Sequence, residues 1–313
     1  MLHRLRFAAA ILISCFGAFS GAAVGATIEL VSWSCFAGGT CDNVQPDSIL
    51  ISGVIEKGDF VEFEKVLGAA PARVSSVILR SPGGNVGLAM QIGREVRAQL
   101  LNVHAPMMDH EVYANGEYAG GERARCIEQG ILGLPGSPRY RNQPCICASA
   151  CFLIYAAGAW RNEGYVGIHR AYLDPRTNQK LTLEQSTKAI NSFREPISQY
   201  LRDMSVPSRY IDIMFGTSSR EIYVPSALEI RKDFFGYPPE ISEWLMARCN
   251  TVAEKEADDT FWRDMRSGKA ADAILAKKER DSCIEAELGI ERAARRIKLR
   301  EWLAVGDPVE FFD

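Results

Sequence analysis

The sequence contains no Cys-x-x-Cys pair and only 4 histidines, so it lacks the ligand sets that zinc sites use. Cys145-Ile146-Cys147 has neither the spacing nor a histidine partner. There is no Gly-x-x-x-x-Gly-Lys stretch, which excludes a P-loop nucleotide site. Basic residues are not in excess: 36 Lys and Arg stand against 39 Asp and Glu, for a net charge of -3. That balance offers nothing to the phosphates of nucleic acid or to an anionic membrane surface. No internal repeat and no low-complexity segment is present. No cofactor or metal is expected from these residues.

The first residues read as a targeting segment rather than as part of a fold. Met1 to Arg6 is basic, Phe7 to Phe19 is apolar but short for a membrane span, and Ala23-Val24-Gly25-Ala26 ends in small residues. The pattern predicts a secretory signal peptide over 1–26, a mature chain beginning at Thr27, and a periplasmic or secreted location. The alternatives are a lipoprotein signal at Leu12-Ile13-Ser14-Cys15 and an uncleaved anchor. Loss of Cys15 leaves Cys35, Cys41, Cys126, Cys145, Cys147, Cys151, Cys249 and Cys283. An even count in an oxidising compartment predicts disulfides. Nearness in sequence favours Cys35 with Cys41 and Cys249 with Cys283, while Cys126 could close onto Cys145 or Cys147.

Strand-like and helix-like patterns alternate, which predicts an α/β layering. Ser48 to Ile55 and Val74 to Leu79 are β-branched, apolar and bounded by turn residues, and Val103-His104-Ala105 begins a third strand. Between them, Phe60 to Leu67 follows a capping Asp59, and Val86 to Leu101 carries Leu88, Ile92, Val96 and Leu100 at helical spacing. Residues 107–144 are rich in Gly, Pro, Arg, Glu and Tyr without periodicity, and read as a loop insertion near the mouth of a site. Leu183 to Met204 and Ser208 to Phe215 are helical in pattern, and Tyr223 to Glu229 opens another helix. Beyond Tyr237-Pro238-Pro239, residues 241–313 form a charged helical C-terminal region. Its expected buried stripe is Trp244, Leu245, Trp262, Ile274, Leu275, Ile284, Leu288, Ile297 and Trp302.

Three short stretches carry chemistry when taken together. Ser81-Pro82-Gly83-Gly84-Asn85 is a glycine turn after a strand. Cys147-Ala148-Ser149-Ala150-Cys151 puts a serine at the head of an apolar helix, and Gly167-Ile168-His169-Arg170 follows. A helix start has free N–H groups and the positive end of the dipole. A glycine turn can present a further N–H to a developing oxyanion, and a histidine can take the proton of a serine. Ser149 is then the nucleophile, His169 the general base, and Gly83, Gly84 and Ala150 the oxyanion or substrate-binding positions. Each has a plainer role available: Ser149 as a helix cap, the glycines as a turn, and His169 as a hydrogen-bonded strand end.

Ser-Pro-Gly-Gly, then Ala-Ser-Ala heading a helix, then Ile-His, resembles the Clp protease proteolytic subunit. The Cys-Ala-Ser-Ala-Cys box looks closest to that family's exported, cysteine-bearing relatives. The wider group includes the signal-peptide peptidase A proteases and the crotonase-fold enzymes. The resemblance covers roughly Ile49 to Phe235. It implies a Clp protease/crotonase-like domain over 27–240, built as a spiral of ββα units, with a C-terminal helical appendage. It also implies peptides bound as a strand beside the glycine turn by main-chain pairing. The partner class is a peptide or an unfolded protein segment. Since the family works as stacked rings, a homo-oligomer is compatible with the resemblance, although the insertion and the C-terminal helices would obstruct ring stacking.

The pattern departs from the family at its acid. Aligned on the helix that follows, Ser219 stands where an Asp belongs, and Glu221 is displaced. Ser219 is therefore the candidate third member, and a weak one, because a hydroxyl cannot carry the charge that stabilises an imidazolium. The expectation is an exported serine hydrolase, a peptidase working with a Ser-His dyad. The alternative is a catalytically silent peptide-binding or scaffolding module on the same fold.

Overall fold

The computed structural model describes residues 25–32, 45–106, 146–173 and 178–305. The expected signal segment as far as Val24, the insertion, and Cys35, Cys41, Cys126 and Cys145 lie outside the described residues. Within them the chain is mixed α/β. Strands β1 (Thr27–Val31), β2 (Ser48–Ser52), β3 (Ser76–Arg80) and β4 (Asn102–His104) form one sheet in that order. β1 runs antiparallel to β2, whereas β2, β3 and β4 are parallel. Helices α1 (Asp59–Ala69) and α2 (Val86–Ala98) make the crossovers. Every residue of β2 and β3 is buried, which explains their unbroken apolar runs. Most of the core lies between the sheet and the helices, while Leu50 and Ile78 pack with Val31 in a small cluster of their own.

A second, two-stranded parallel sheet joins β5 (Cys147–Ala148) to β6 (Val166–Gly167), with α3 (Ala150–Ala156) between them. After it come α4 (Leu183–Ser192), α5 (Arg194–Asp203), α6 (Ser208–Gly216), α7 (Ala227–Asp233), α8 (Pro239–Cys249), α9 (Glu254–Arg266) and α10 (Ala270–Val305). The expected single helix from Leu183 to Met204 breaks at Phe193. Asp59 is the first residue of α1 rather than its cap, which is Gly58. Its carboxylate instead accepts hydrogen bonds from the N–H groups of Glu56 (2.7 Å) and Ala26 (3.0 Å). α7 begins with a capping box in which Ser226 and Glu229 satisfy each other's backbone N–H groups.

The C-terminal helices pack on the α/β body. Ile284 and Leu288 of α10 bury against Leu100, Ala159, Ile241 and Leu245, and Leu299 joins the main core. A row of arginines then crosses the free ends of α1 and α2. Arg296 donates to the Leu67 carbonyl (2.7 Å), and Arg300 to those of Gly68 (2.9 Å) and Ala70 (2.7 Å). Arg292 donates to Leu100 O (2.9 Å) and Arg295 to Ala98 O (2.7 Å). Helix C-termini leave such carbonyls without intrahelical partners, and cations suit their negative end. The expected buried stripe is only partly buried: Trp262, Ile274, Leu275, Ile297 and Trp302 are exposed. The arginine face of α10, not an apolar stripe, supplies much of its contact with the body.

Candidate active site

Three strand ends meet side by side. The Ser81 carbonyl, just past β3, accepts from Ala148 N–H (3.0 Å), and the Gly167 carbonyl at the end of β6 accepts from Ser149 N–H (2.9 Å). Ala148 is paired with Gly167 in parallel register. The glycine turn, Ser149 and His169 therefore leave three neighbouring strands at the same, carboxyl end. That is where open α/β sheets place their ligand crevices. On the far side, Ile168 and Tyr223 exchange hydrogen bonds of 2.8 and 2.9 Å and close the row.

Ser149 sits in a backbone conformation that side chains avoid, with φ 58° and ψ -123°. Its side chain makes no capping bond to α3, so the expected plain role as a helix cap does not apply. Such a conformation costs about 1–3 kcal/mol and survives only when the surroundings impose it. The strained strand-to-helix turn has the same form as the elbow that presents the serine in α/β-hydrolases.

The glycine turn lies directly against this residue. Gly83 has φ 108°, and a Cβ added there would stand 2.6 Å from the Ser149 Cβ and 2.8 Å from the Ala148 carbonyl oxygen. Gly84 has φ 140° and approaches the backbone of Ile55, where a Cβ would meet the carbonyl oxygen at 2.2 Å. The turn is held by Ile55 N–H donating to Gly83 O (2.8 Å) and Asn85 N–H to Ile55 O (2.8 Å). Gly83 N–H is already used, since it donates to Ser81 Oγ (3.0 Å). Among the described residues the N–H groups of Gly84 and Ala150 donate to no protein acceptor. Ala150 opens α3, where an N–H has no intrahelical acceptor.

His169 is only 8% exposed. Its Nδ1 lies 2.9 Å from the carbonyl oxygen of Arg170. A carbonyl can only accept, so Nδ1 carries the hydrogen and Nε2 keeps its lone pair for a proton. Arg170 is tied in turn by its own N–H to the Thr217 carbonyl (3.3 Å). Tyr172 stacks on the imidazole, with ring centroids 6.0 Å apart. Among the described residues no hydrogen bond joins Ser219 to His169, no carboxylate bonds to the imidazole, and none yet joins Ser149 Oγ to His169. The position that an acid would fill at Nδ1 is occupied by main chain.

Further residues that the sequence did not single out hold α3 in place. Arg97 donates to the carbonyls of Ala157 (2.8 Å) and Gly158 (3.3 Å). Buried Arg161 donates to Ala156 O (3.4 Å) and lies 5.8 Å from the Phe234 ring centroid. Burial lowers the Arg161 guanidinium to about 10. Tyr200 donates to the Leu153 carbonyl (2.8 Å), and Asn162 pairs both amide groups with the backbone of Ala105 (2.9 Å each). These partners are distant in sequence and carry no local motif.

Two disulfides are present among the described residues. Cys249 pairs with Cys283, as nearness in sequence suggested. Cys147 pairs with Cys151 and so not with Cys126. The turn at Ser149 folds the strand end back on the helix start, which brings these two Cα atoms to 5.2 Å. Among the described residues no cluster of three or more His, Cys, Asp or Glu could hold a metal ion, and no helix is long and apolar enough to cross a membrane.

No protein-family model and no curated protein matches this chain. Among solved structures it is similar to a variant of ClpP1 from Listeria monocytogenes, at 15% identity and a TM-score of 0.37, over 59% of this chain and 86% of that one. It is also similar to a variant of the 1510-N membrane-bound stomatin-specific protease, at 15% identity and a TM-score of 0.36, over 65% and 84%. With TM-scores below 0.5 these likenesses carry no inference, and function has to be read from the site itself.

Proposed function

We propose that this chain is an exported serine hydrolase that cleaves peptides, on a Clp protease/crotonase-like spiral of ββα units. One observation carries the reading. A serine in a strained elbow, two N–H groups without acceptors beside it, and a histidine in the proton-accepting tautomer all stand at the same end of adjacent strands. Ser149 Oγ attacks the scissile carbonyl and passes its proton to His169 Nε2. Gly84 and Ala150 N–H stabilise the oxyanion, while Gly83 brings the turn close to the serine. The imidazolium then protonates the leaving amine, and water releases the acyl group by the reverse path.

The Arg170 carbonyl supports the imidazolium where an acid would. A neutral acceptor is roughly half as strong as a charged one, so the dyad works more weakly than a triad. Two disulfides among the described residues suit an oxidising compartment. Substrates are short peptides or unfolded segments. The second reading, a silent peptide-binding module, draws on the absence of a carboxylate at His169 among the described residues.

A serine-directed fluorophosphonate separates the two. The wild-type protein should be labelled at Ser149. Ser149→Ala should remove labelling and keep the fold, and His169→Ala should suppress it. A folded wild-type protein that stays unlabelled would leave the binding module as the better account.

A further inference from the structure

The two disulfides do different mechanical work. Cys249–Cys283 joins α8 to α10 across a sequence separation of 34, the arrangement of an ordinary staple between helices. Cys147–Cys151 spans a separation of 4, and Ser149 is at the centre of the ring it closes. So small a loop restrains little of the unfolded chain. Both cysteines are fully buried in the main core, where an alanine or valine would also pack. What the bond adds is a covalent link between the end of β5 and the first turn of α3.

That link bridges the one strained residue of the site. Ser149 is held on its N-terminal side by its N–H to Gly167 O (2.9 Å) and on its C-terminal side by Phe152 N–H to Ser149 O (3.0 Å). These two bonds fix its N–H and its carbonyl at φ 58° and ψ -123°, and no side-chain cap adds to them. β5 is itself anchored on both sides, by Ser81 and by β6. The covalent ring therefore refers the position of the α3 start, and with it Ala150 N–H, to the sheet that carries the glycine turn and His169.

We propose that the Cys147–Cys151 disulfide positions the nucleophile, holding Ser149 in its elbow and Ala150 N–H against the Gly83 turn. This rests on the hydrolase reading. Its role is local: it sets the rate of acyl transfer and adds little to the stability of the whole chain.

The test compares wild-type protein with Cys147→Ala/Cys151→Ala and with the control Cys249→Ala/Cys283→Ala. The readouts are fluorophosphonate labelling kinetics, thermal melting and the pH dependence of labelling. For Cys147→Ala/Cys151→Ala the labelling rate at saturating probe should fall at least about tenfold, since displacements near 1 Å cost rates of this order or more. The half-saturating probe concentration and the pH of half-maximal labelling should hold, and melting should fall less than in the control. The control should melt lower and label at the wild-type rate. The proposal is overturned if Cys147→Ala/Cys151→Ala labels as fast as wild type. It is equally overturned if that variant fails to fold or loses as much melting temperature as the control, because the bond is then a general staple. Absence of labelling in the wild type strikes instead at the hydrolase reading.

Discussion

Gly83→Ala gives a sharp view of how closely the glycine turn and Ser149, the proposed nucleophile, are coupled. Two costs follow from the structure. The first is backbone strain, since φ is 108° and a left-handed conformation costs a residue with a Cβ about 1–2 kcal/mol. The second is steric: the new Cβ would stand 2.6 Å from Ser149 Cβ, 2.8 Å from Ala148 O and 3.0 Å from Ala150 N. Carbon atoms prefer separations of about 3.5–4.0 Å, so the elbow must move by roughly 1 Å to accept it. A shift of that size at a reacting atom costs about a hundredfold in rate. Gly58→Ala is the matched control, because Gly58 has φ 100° and nothing within 4 Å of the added Cβ. Both variants should lose the strain term, which lowers melting by roughly 2–8 °C at about 2–4 °C per kcal/mol. Only Gly83→Ala should also lose fluorophosphonate labelling, by about a hundredfold. Circular dichroism melts and labelling time courses decide it. A Gly83→Ala protein that labels like Gly58→Ala would refute the coupling of turn and nucleophile.

Two further outcomes concern the scaffold. Cys249→Ala/Cys283→Ala should lose about 3–4 kcal/mol, the loop-closure value for a separation of 34, measured by urea unfolding under non-reducing conditions. Glu64 is buried between α1, α2 and α10, and desolvation first, then the Glu95 carboxylate, pushes its pKa up to about 7. A carboxyl raised in this way favours folding in its neutral form. Its contribution is present below about pH 4.5 and is lost as pH rises towards 7. Glu64→Gln should therefore flatten the fall of stability across that window and stabilise the protein at pH 8 by about 1 kcal/mol, solvent screening reducing the full effect of the shift. Unfolding midpoints that keep the wild-type pH slope would show that Glu64 is not the group responsible.

Local chemistry made much of the scaffold legible in advance. β2 and β3 were visible as unbroken β-branched runs because strands buried on both faces have no polar side to show. α2 was visible because its apolar residues recur at helical spacing. Gly83-Gly84, Ser149 and His169 were grouped in sequence by their chemistry and their order; that the three stretches leave neighbouring parallel strands is a property of the fold.

Other features depend on how the chain folds, and no local pattern encodes them. Arg97 and Arg161 close the end of α3, and Arg292, Arg296 and Arg300 reach carbonyls at the ends of α1 and α2, yet each reads in sequence as one more surface charge. The apolar residues Ile274, Leu275 and Ile297 looked like core and are exposed, because guanidinium contacts and not only apolar burial seat α10. Cys145 or Cys147 was the expected partner of Cys126; Cys147 instead finds Cys151, since the positive-φ turn at Ser149 brings strand end and helix start together. At His169 the sequence suggested a missing acid at Ser219. The folded chain places the carbonyl of the next residue, Arg170, at Nδ1, and the tertiary tie is the Arg170 N–H to the Thr217 carbonyl.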